Sequence, residues 1–379
     1  MKILLTGGGT GGHFYPVIAI SQELNEISKE NRLLRPELFY MSTQPYNEGL
    51  LFENNITFEK VNAGKIRGKV SVGNVILNFF DLFKTLSGVM TAIWRVFIIY
   101  PDVVFGKGGY TSFPALLAAR LLMIPVVIHE SDSVPGRVTL WAGKFARRIA
   151  ISYPEAANFF PKDKTAYTGN PVRKEIEEPL VAESYEFFNF SPQVQTILIL
   201  GGSQGARFIN EVIIDTLPEL VAKYQVIHQT GKNNIKVIEE TRDVVLQGNR
   251  YKDRYRPMAY LDILNLRRAA GIADIVISRA GSTIFEIALW GKPSIIIPIP
   301  EPTSHEQRTN AYAYARSGAA IVIEEKNLAS GLLLSEIDRV LQTQNEKEKM
   351  GQSALAFSRR DSAKLIANEI TSIALEHEK

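Results

Sequence analysis

One design occurs twice in this chain, and it constrains the fold more than any other feature. Near the start, Ile3-Leu4-Leu5 passes through Thr6 into Gly7-Gly8-Gly9-Thr10-Gly11-Gly12-His13. Mid-chain, Ile197-Leu198-Ile199-Leu200 passes into Gly201-Gly202-Ser203-Gln204-Gly205. Each run reads as a buried strand that ends in residues without side chains, just before an amphipathic helical pattern. Such a junction bares backbone N–H groups and a helix N-terminus to an anion. Two of them predict two nucleotide-type domains facing one another.

The rest of the chain keeps to that plan. Strand-like runs alternate with helical patterns, as parallel sheets with crossover helices require. Strands are expected near 2–6, 37–42, 102–105, 125–129, 148–152 and 165–168, then near 196–200, 225–229, 256–260, 274–278, 293–298 and 320–323. Glu175–Gln195, acidic and aromatic with Pro179 and Pro192, reads as a linker with a short helix. The stretch from about Leu332 to Glu378 is helical without strands. At 379 residues the chain exceeds the size at which single cores stop growing. Two doubly wound α/β domains, with the site in the cleft between them, are the expected architecture.

With no cysteine, a disulfide framework, a thiolate metal site and a cysteine nucleophile are all excluded. Lys2 leads directly into the first strand, so no cleavable leader is expected. A formal charge of +3 is too small to suggest nucleic acid. Its placement says more. Lys60, Lys65, Arg67, Lys69, Lys84 and Arg95 surround the apolar stretches Val75–Phe83 and Val89–Tyr100. The second stretch is shorter than the roughly 20 residues that span a bilayer. The region reads either as a core helix with a basic rim or as a surface for an anionic membrane.

Gly7-x-Gly9-x-x-Gly12 spells the dinucleotide fingerprint, yet the second strand closes on Phe39-Tyr40-Met41-Ser42-Thr43 with no acid for a ribose. That argues against a nicotinamide cofactor. His13 stands at a helix start, where the positive helix end favours neutral imidazole; it is either a general base or a cap. Gly106-Lys107-Gly108-Gly109-Tyr110 and His129-Glu130 follow strands of the same sheet. Glu130 either orients His13, moves a proton, or is a loop carboxylate. In the second half, Ser203 and Gln204 can donate to a phosphate. Ser278-Arg279-Ala280-Gly281-Ser282-Thr283 is another strand-to-helix junction. Glu286 either accepts both hydroxyls of a ribose or serves the helix dipole. Arg173, after Gly169-Asn170-Pro171-Val172, can reach a diphosphate, and His305–Asn310 offers polar groups to a sugar. No Asp-x-Asp, metal-spaced cluster or Walker lysine occurs in the sequence, so neither a metal site nor NTP hydrolysis is expected.

These segments together resemble the MurG family, the UDP-N-acetylglucosamine transferases of peptidoglycan synthesis in glycosyltransferase family 28. The resemblance rests on Thr6–Pro16, Gly106–Pro114, Pro125–Gly136, Gly169–Arg173, Gly201–Asn210, Ala273–Pro298 and Gln307–Ala311. It implies a GT-B fold of two Rossmann-like domains with a deep cleft. Residues 1–175 would form the acceptor and membrane-facing domain, and 176–357 the UDP-sugar domain. A C-terminal helix, about 358–379, would pack back on the first. It also implies an inverting transfer of N-acetylglucosamine from UDP to the 4-hydroxyl of undecaprenyl-diphospho-muramoyl-pentapeptide. No metal or other cofactor is implied, and the enzyme would lie peripherally on the cytoplasmic face of the plasma membrane. Carried over by motif, His13 with Glu130 would be catalytic. Thr10, Gly11 and Gly12 would approach the donor and acceptor diphosphates, Tyr110 would bind substrate, and Asp132 would stand at the donor-sugar contact. Arg173, Ser203 and Gln204 would hold the donor diphosphate, under Ser282 and Thr283. Leu261 would meet uracil, Glu286 the ribose and Gln307 the sugar. Asp132 departs from the family's usual asparagine; a carboxylate accepts hydrogen bonds but cannot donate. The rival readings are a UDP-sugar 2-epimerase or glycolipid transferase on the same scaffold, and a non-catalytic nucleotide-sugar-binding subunit.

Overall fold

The computed structural model describes residues 1–65, 72–201, 206–300 and 305–377. The chain divides into two compact units, Met1–Arg173 with Arg359–Lys379, and Lys174–Ser358.

The first unit is built on a seven-stranded, all-parallel sheet: β1 (Lys2–Thr6), β2 (Glu37–Ser42), β3 (Ile56–Lys60), β4 (Val103–Gly106), β5 (Val126–Glu130), β6 (Arg148–Ile151) and β7 (Thr165–Tyr167), in the order β3-β2-β1-β4-β5-β6-β7. A parallel sheet must cover both faces, and β1 is apolar on both for that reason. Ile3 and Leu5 join one core with Val17, Ile20 and Leu24 of the helix Gly11–Glu30. Leu4, between them, points into the opposite core with Val104, Ala115 and Ala119. The last helix, Ser362–His377, completes the first of these cores with Ile366, Ile370 and Ile373, each at most 2% exposed. Burying each isoleucine contributes about 1.5–3 kcal/mol. Arg148 clamps the helix from outside through Glu369 at 2.8 Å.

The second unit repeats the plan with β8 (Thr196–Leu200), β9 (Gln225–Gln229), β10 (Tyr255–Met258), β11 (Ile275–Ser278), β12 (Ser294–Ile296) and β13 (Ala320–Val322), in the order β10-β9-β8-β11-β12-β13. Ile197 and Ile199 of β8 face one core and Leu198 and Leu200 the other. The helices Ser330–Gln342 and Gln344–Phe357 follow without further strands.

Two local differences from the sequence expectations have physical causes. β3 is an edge strand of alternating character, with Ile56 buried and Thr57 exposed, too short and polar to register as an apolar run. The stretches Val75–Phe83 and Val89–Tyr100 are not separate: one helix of 28 residues runs from Val72 to Ile99. Residues 84–88 between them are polar enough to break the run in sequence, but nothing there stops a helix. Within it Leu77–Ile99 is long and apolar enough to cross a membrane by length and composition, with 28% of the window buried.

Candidate active site

In each sheet the strand order reverses once, between β1 and β4 and between β8 and β11. At such a point the loops leaving the two strands diverge to opposite faces and open a crevice at the carboxyl ends. In the first unit three loops meet there. Register sets Thr6 opposite Gly106 and Gly106 opposite Ile128, so the loops after β1, β4 and β5 leave the sheet side by side.

Their close approach depends on glycine. A Cβ on Gly7 would stand 2.8 Å from Cβ of Lys107, and Gly109, at φ +79°, would put one 3.2 Å from the Gly8 carbonyl oxygen. That second Cβ would also lie 3.5 Å from Cε1 of His13, so the β4 loop lies directly against the histidine. Thr10, Gly11, Gly12, His13, Tyr110, Glu130 and Asp132 all belong to these three loops or to the first turn of the helix at Gly11. Tyr110 starts the short turn Tyr110–Ser112 and is 37% exposed.

The residue that holds His13 is Thr10: Oγ1 lies 3.1 Å from Nδ1. Burial, with the charge of Lys107 adding to it, pushes the His13 pKa down to about 4, which leaves a neutral imidazole able to take a proton. Glu130 has a different employment. Its Oε1 accepts the N–H of Asp132 and its Oε2 that of Gly136, each at 3.0 Å, so the carboxylate ties up the turn that follows β5. Burial and the neighbouring Asp132 push Glu130 up to about 7, against the pull of those two N–H groups and Lys107. His129, wholly buried, sits 2.9 Å from the Gly169 carbonyl through Nε2 and is held neutral by burial and by Lys107.

Arg173, at the end of this unit, is 6% exposed, and its guanidinium lies 3.8 Å from the ring centre of Tyr15. Its buried Nε has no hydrogen-bond partner among the described residues, so donor capacity remains. Lys107 was not singled out as a site residue from the sequence. Its signal was there, a charged residue set between a buried strand and two glycines.

In the second unit, Ser203 and Gln204 lie outside the described residues. Ser282 and Thr283 open the helix Thr283–Leu289 after β11, and Glu286 stands in its first turn. Gln307 lies on the helix His305–Arg316, where its Oε1 accepts the Ile299 N–H at 3.2 Å. Leu261 follows β10 and is buried, and its N–H donates to Oε1 of Gln229 at 3.0 Å. On β9, His228 bridges Tyr255 at 2.8 Å and Asn210 at 3.0 Å, while Asn210 donates to the Thr230 carbonyl. That buried chain ties the helix Arg207–Asp215 to the sheet. Among the described residues no group of three or more His, Cys, Asp or Glu side chains is placed to hold a metal ion.

Outside the crevice, the helix Val72–Ile99 has an unusual surface. Ala92 and Val96 anchor it in the core, while Phe79, Phe80, Phe83, Met90, Trp94 and Phe97 are each more than half exposed. The basic rim is partly spent internally, since Lys84 pairs with Asp81 at 3.6 Å and Arg95 with Glu59 at 3.5 Å. Arg67 and Lys69 lie outside the described residues.

Comparison with known proteins places these features in context. Residues 3–151 match the glycosyltransferase family 28 N-terminal domain and residues 196–366 its C-terminal domain. Among curated relatives, a UDP-N-acetylglucosamine–N-acetylmuramyl-(pentapeptide) pyrophosphoryl-undecaprenol N-acetylglucosamine transferase of Natranaerobius thermophilus is 35% identical, over 90% of this chain and 91% of its own length. A Bacillus cereus protein of the same name is 36% identical over 92% and 93%. Among solved structures, Acinetobacter baumannii MurG superposes with a TM-score of 0.72 at 24% identity, covering 98% of this chain and 99% of its own. The UDP-N-acetylglucosamine 2-epimerase of Neisseria meningitidis reaches 0.66 at 15% identity, over 98% and 100%, a likeness of fold alone.

Proposed function

The chain belongs to glycosyltransferase family 28, and from that premise we infer that it transfers N-acetylglucosamine from UDP-N-acetylglucosamine to undecaprenyl-linked N-acetylmuramoyl-pentapeptide. It is a UDP-N-acetylglucosamine-dependent glycosyltransferase of peptidoglycan synthesis. One observation carries this: identity of 35% to a transferase of that name over 90% of the chain. The epimerase neighbour shares the fold at 15% identity and no more.

The chemistry assigned to the residues is an inverting displacement at the sugar's anomeric carbon. The muramoyl 4-hydroxyl attacks, its proton passes to neutral His13, and UDP leaves. Because charge gathers on the departing diphosphate, fixed donors do most of the work. Arg173, Ser203, Gln204 and the amides of Ser282 and Thr283 supply them. Glu286 takes the ribose hydroxyls, the Leu261 backbone the uracil and Gln307 the sugar. Thr10, Gly11 and Gly12 serve the acceptor side, Tyr110 binds substrate, and Asp132 meets the donor sugar. Glu130 acts by holding the turn that carries Asp132.

We further propose that the apolar face of the helix Val72–Ile99 meets the membrane and that the enzyme works peripherally at the cytoplasmic face of the plasma membrane, which the exposed rings of that helix support. Rings this exposed gain about 1.5–3 kcal/mol each when they leave water, and a lipid-linked acceptor is met at that surface. Anionic headgroups then add attraction to the lysines of the rim. The decisive assay supplies radiolabelled UDP-N-acetylglucosamine and a short-chain lipid-linked muramoyl-pentapeptide. Label must move to the lipid; a folded, UDP-binding chain that moves none would refute the transferase reading and leave a binding subunit.

A further inference from the structure

Lys107 is among the largest fully buried side chains of the molecule, 1% exposed, and its Nζ has no hydrogen-bond partner among the described residues. A buried ammonium without hydrogen bonds costs several kcal/mol unless opposite charge stands close. The fold makes room for it deliberately: with Gly106 opposite Thr6 and Ile128, Lys107 leaves the sheet beside bare Gly7 on one side and the His129–Asp132 turn on the other. The opposite charges come from that turn, where Glu130 and Asp132 both act on Lys107. Glu130 is committed to two backbone N–H groups. Asp132, half-buried, follows Glu130 on the same turn.

We propose that Lys107 is a positioning residue for the transfer, a buried counter-charge that holds the Glu130–Asp132 turn in place at the loop carrying His13. The role of Asp132 and His13 in transfer rests on the function proposed above. The two charges are interdependent. Lys107→Met leaves two neighbouring carboxylates without a cation, so the turn must take up a proton. Asp132→Asn leaves the ammonium facing Glu130 alone. Changing both returns the cluster to its original excess of one negative charge. The groups that face Lys107 are Glu130 and Asp132 on the β5 turn, His129 at the end of β5 and His13 on the first helix. Loss of Lys107 removes one of the two influences that hold imidazolium off His13, so the acid limb of the rate profile moves to higher pH.

The test is a double-mutant cycle on the full chain: wild type, Lys107→Met, Asp132→Asn and both together. Steady-state kinetics use UDP-N-acetylglucosamine and the lipid acceptor, and each variant also has its denaturation midpoint measured. Each single change is expected to raise KM for a sugar substrate by tenfold or more, and the double variant to return within about threefold of wild type. In Lys107→Met the acid limb of kcat shifts upward in pH. If Lys107→Met fails to fold while the double variant folds, the charge coupling is supported. Strictly additive losses, an unshifted acid limb, or failure of both Lys107 variants to fold would overturn the proposal. Absence of transfer by the wild type would instead overturn the function, while coupling in the midpoints is read without turnover.

Discussion

His13 occupies a position where three local effects agree. It opens a helix, it is held by Thr10, and it is kept from protonating by burial and Lys107. On the proposed function His13 is the general base, and removing such a base costs on the order of 10²–10⁴ in kcat. His13→Gln should therefore lower kcat by that order while leaving UDP binding within about twofold, measured by titration of UDP against the folded protein. A kcat within tenfold of wild type would move the base elsewhere. The glycine loop and His13 were legible from spacing alone. Lys107 was not, because one sequence shows that a lysine follows a strand but not that the strand's neighbour leaves it no water. The partner of His13 was equally hidden. Glu130 closes β5, two strands from β1, and its oxygens accept backbone N–H groups of its own turn, while the hydroxyl of Thr10 meets the histidine.

The helix Val72–Ile99 shows what an element adds to its residues. Two apolar stretches became one because a helix needs only the absence of a breaker, and the sequence between them contains helix-tolerant Lys84, Thr85 and Leu86. Its exposed rings cluster, Phe79 with Phe83 at 5.0 Å between centres and Trp94 with Phe97 at 6.5 Å. Ala92 and Val96 hold the opposite side of the helix in the core beside the sheet. Phe79→Asp with Phe83→Asp should weaken sedimentation with anionic vesicles by about 100-fold or more, from the transfer energy of two rings. Transfer to a detergent-soluble acceptor should be unchanged. Retained vesicle binding would assign the membrane contact to another surface. The edge strand β3 makes the converse point, an element set by its neighbour β2 rather than by its own composition.

For the whole molecule, every strand but the edge strand β3 could be anticipated, because parallel strands buried on two faces announce themselves as apolar runs. The ionisation of the interior could not, and it predicts how stability depends on pH. Folded His13 titrates at about 4, His228 at about 3, and His129 well below 6.5, while all three take up protons near 6.5 once unfolded. The unfolded chain thus binds more protons over that window, so their stabilising contribution is complete above pH 6.5 and is lost as pH falls through it toward 4. Glu130 opposes one of them, since its folded value of about 7 exceeds the usual 4.5. Each uncompensated histidine contributes at most about 1.4 kcal/mol per pH unit. The denaturation midpoint should fall steadily from pH 6.5 to 4.5. A flat profile would mean that these histidines protonate within the fold.

The order of the chain has a consequence for its folding. The core of the first unit includes Ile366, Ile370 and Ile373, which leave the ribosome after every other described strand and helix has been made. The unit formed by Lys174–Ser358 can close during synthesis, but the unit begun first must wait for the helix Ser362–His377. A ribosome stalled before Ser362 therefore holds a chain whose opening glycine loop and His13 sit on an unfinished core. That loop takes its final shape only once this helix has emerged.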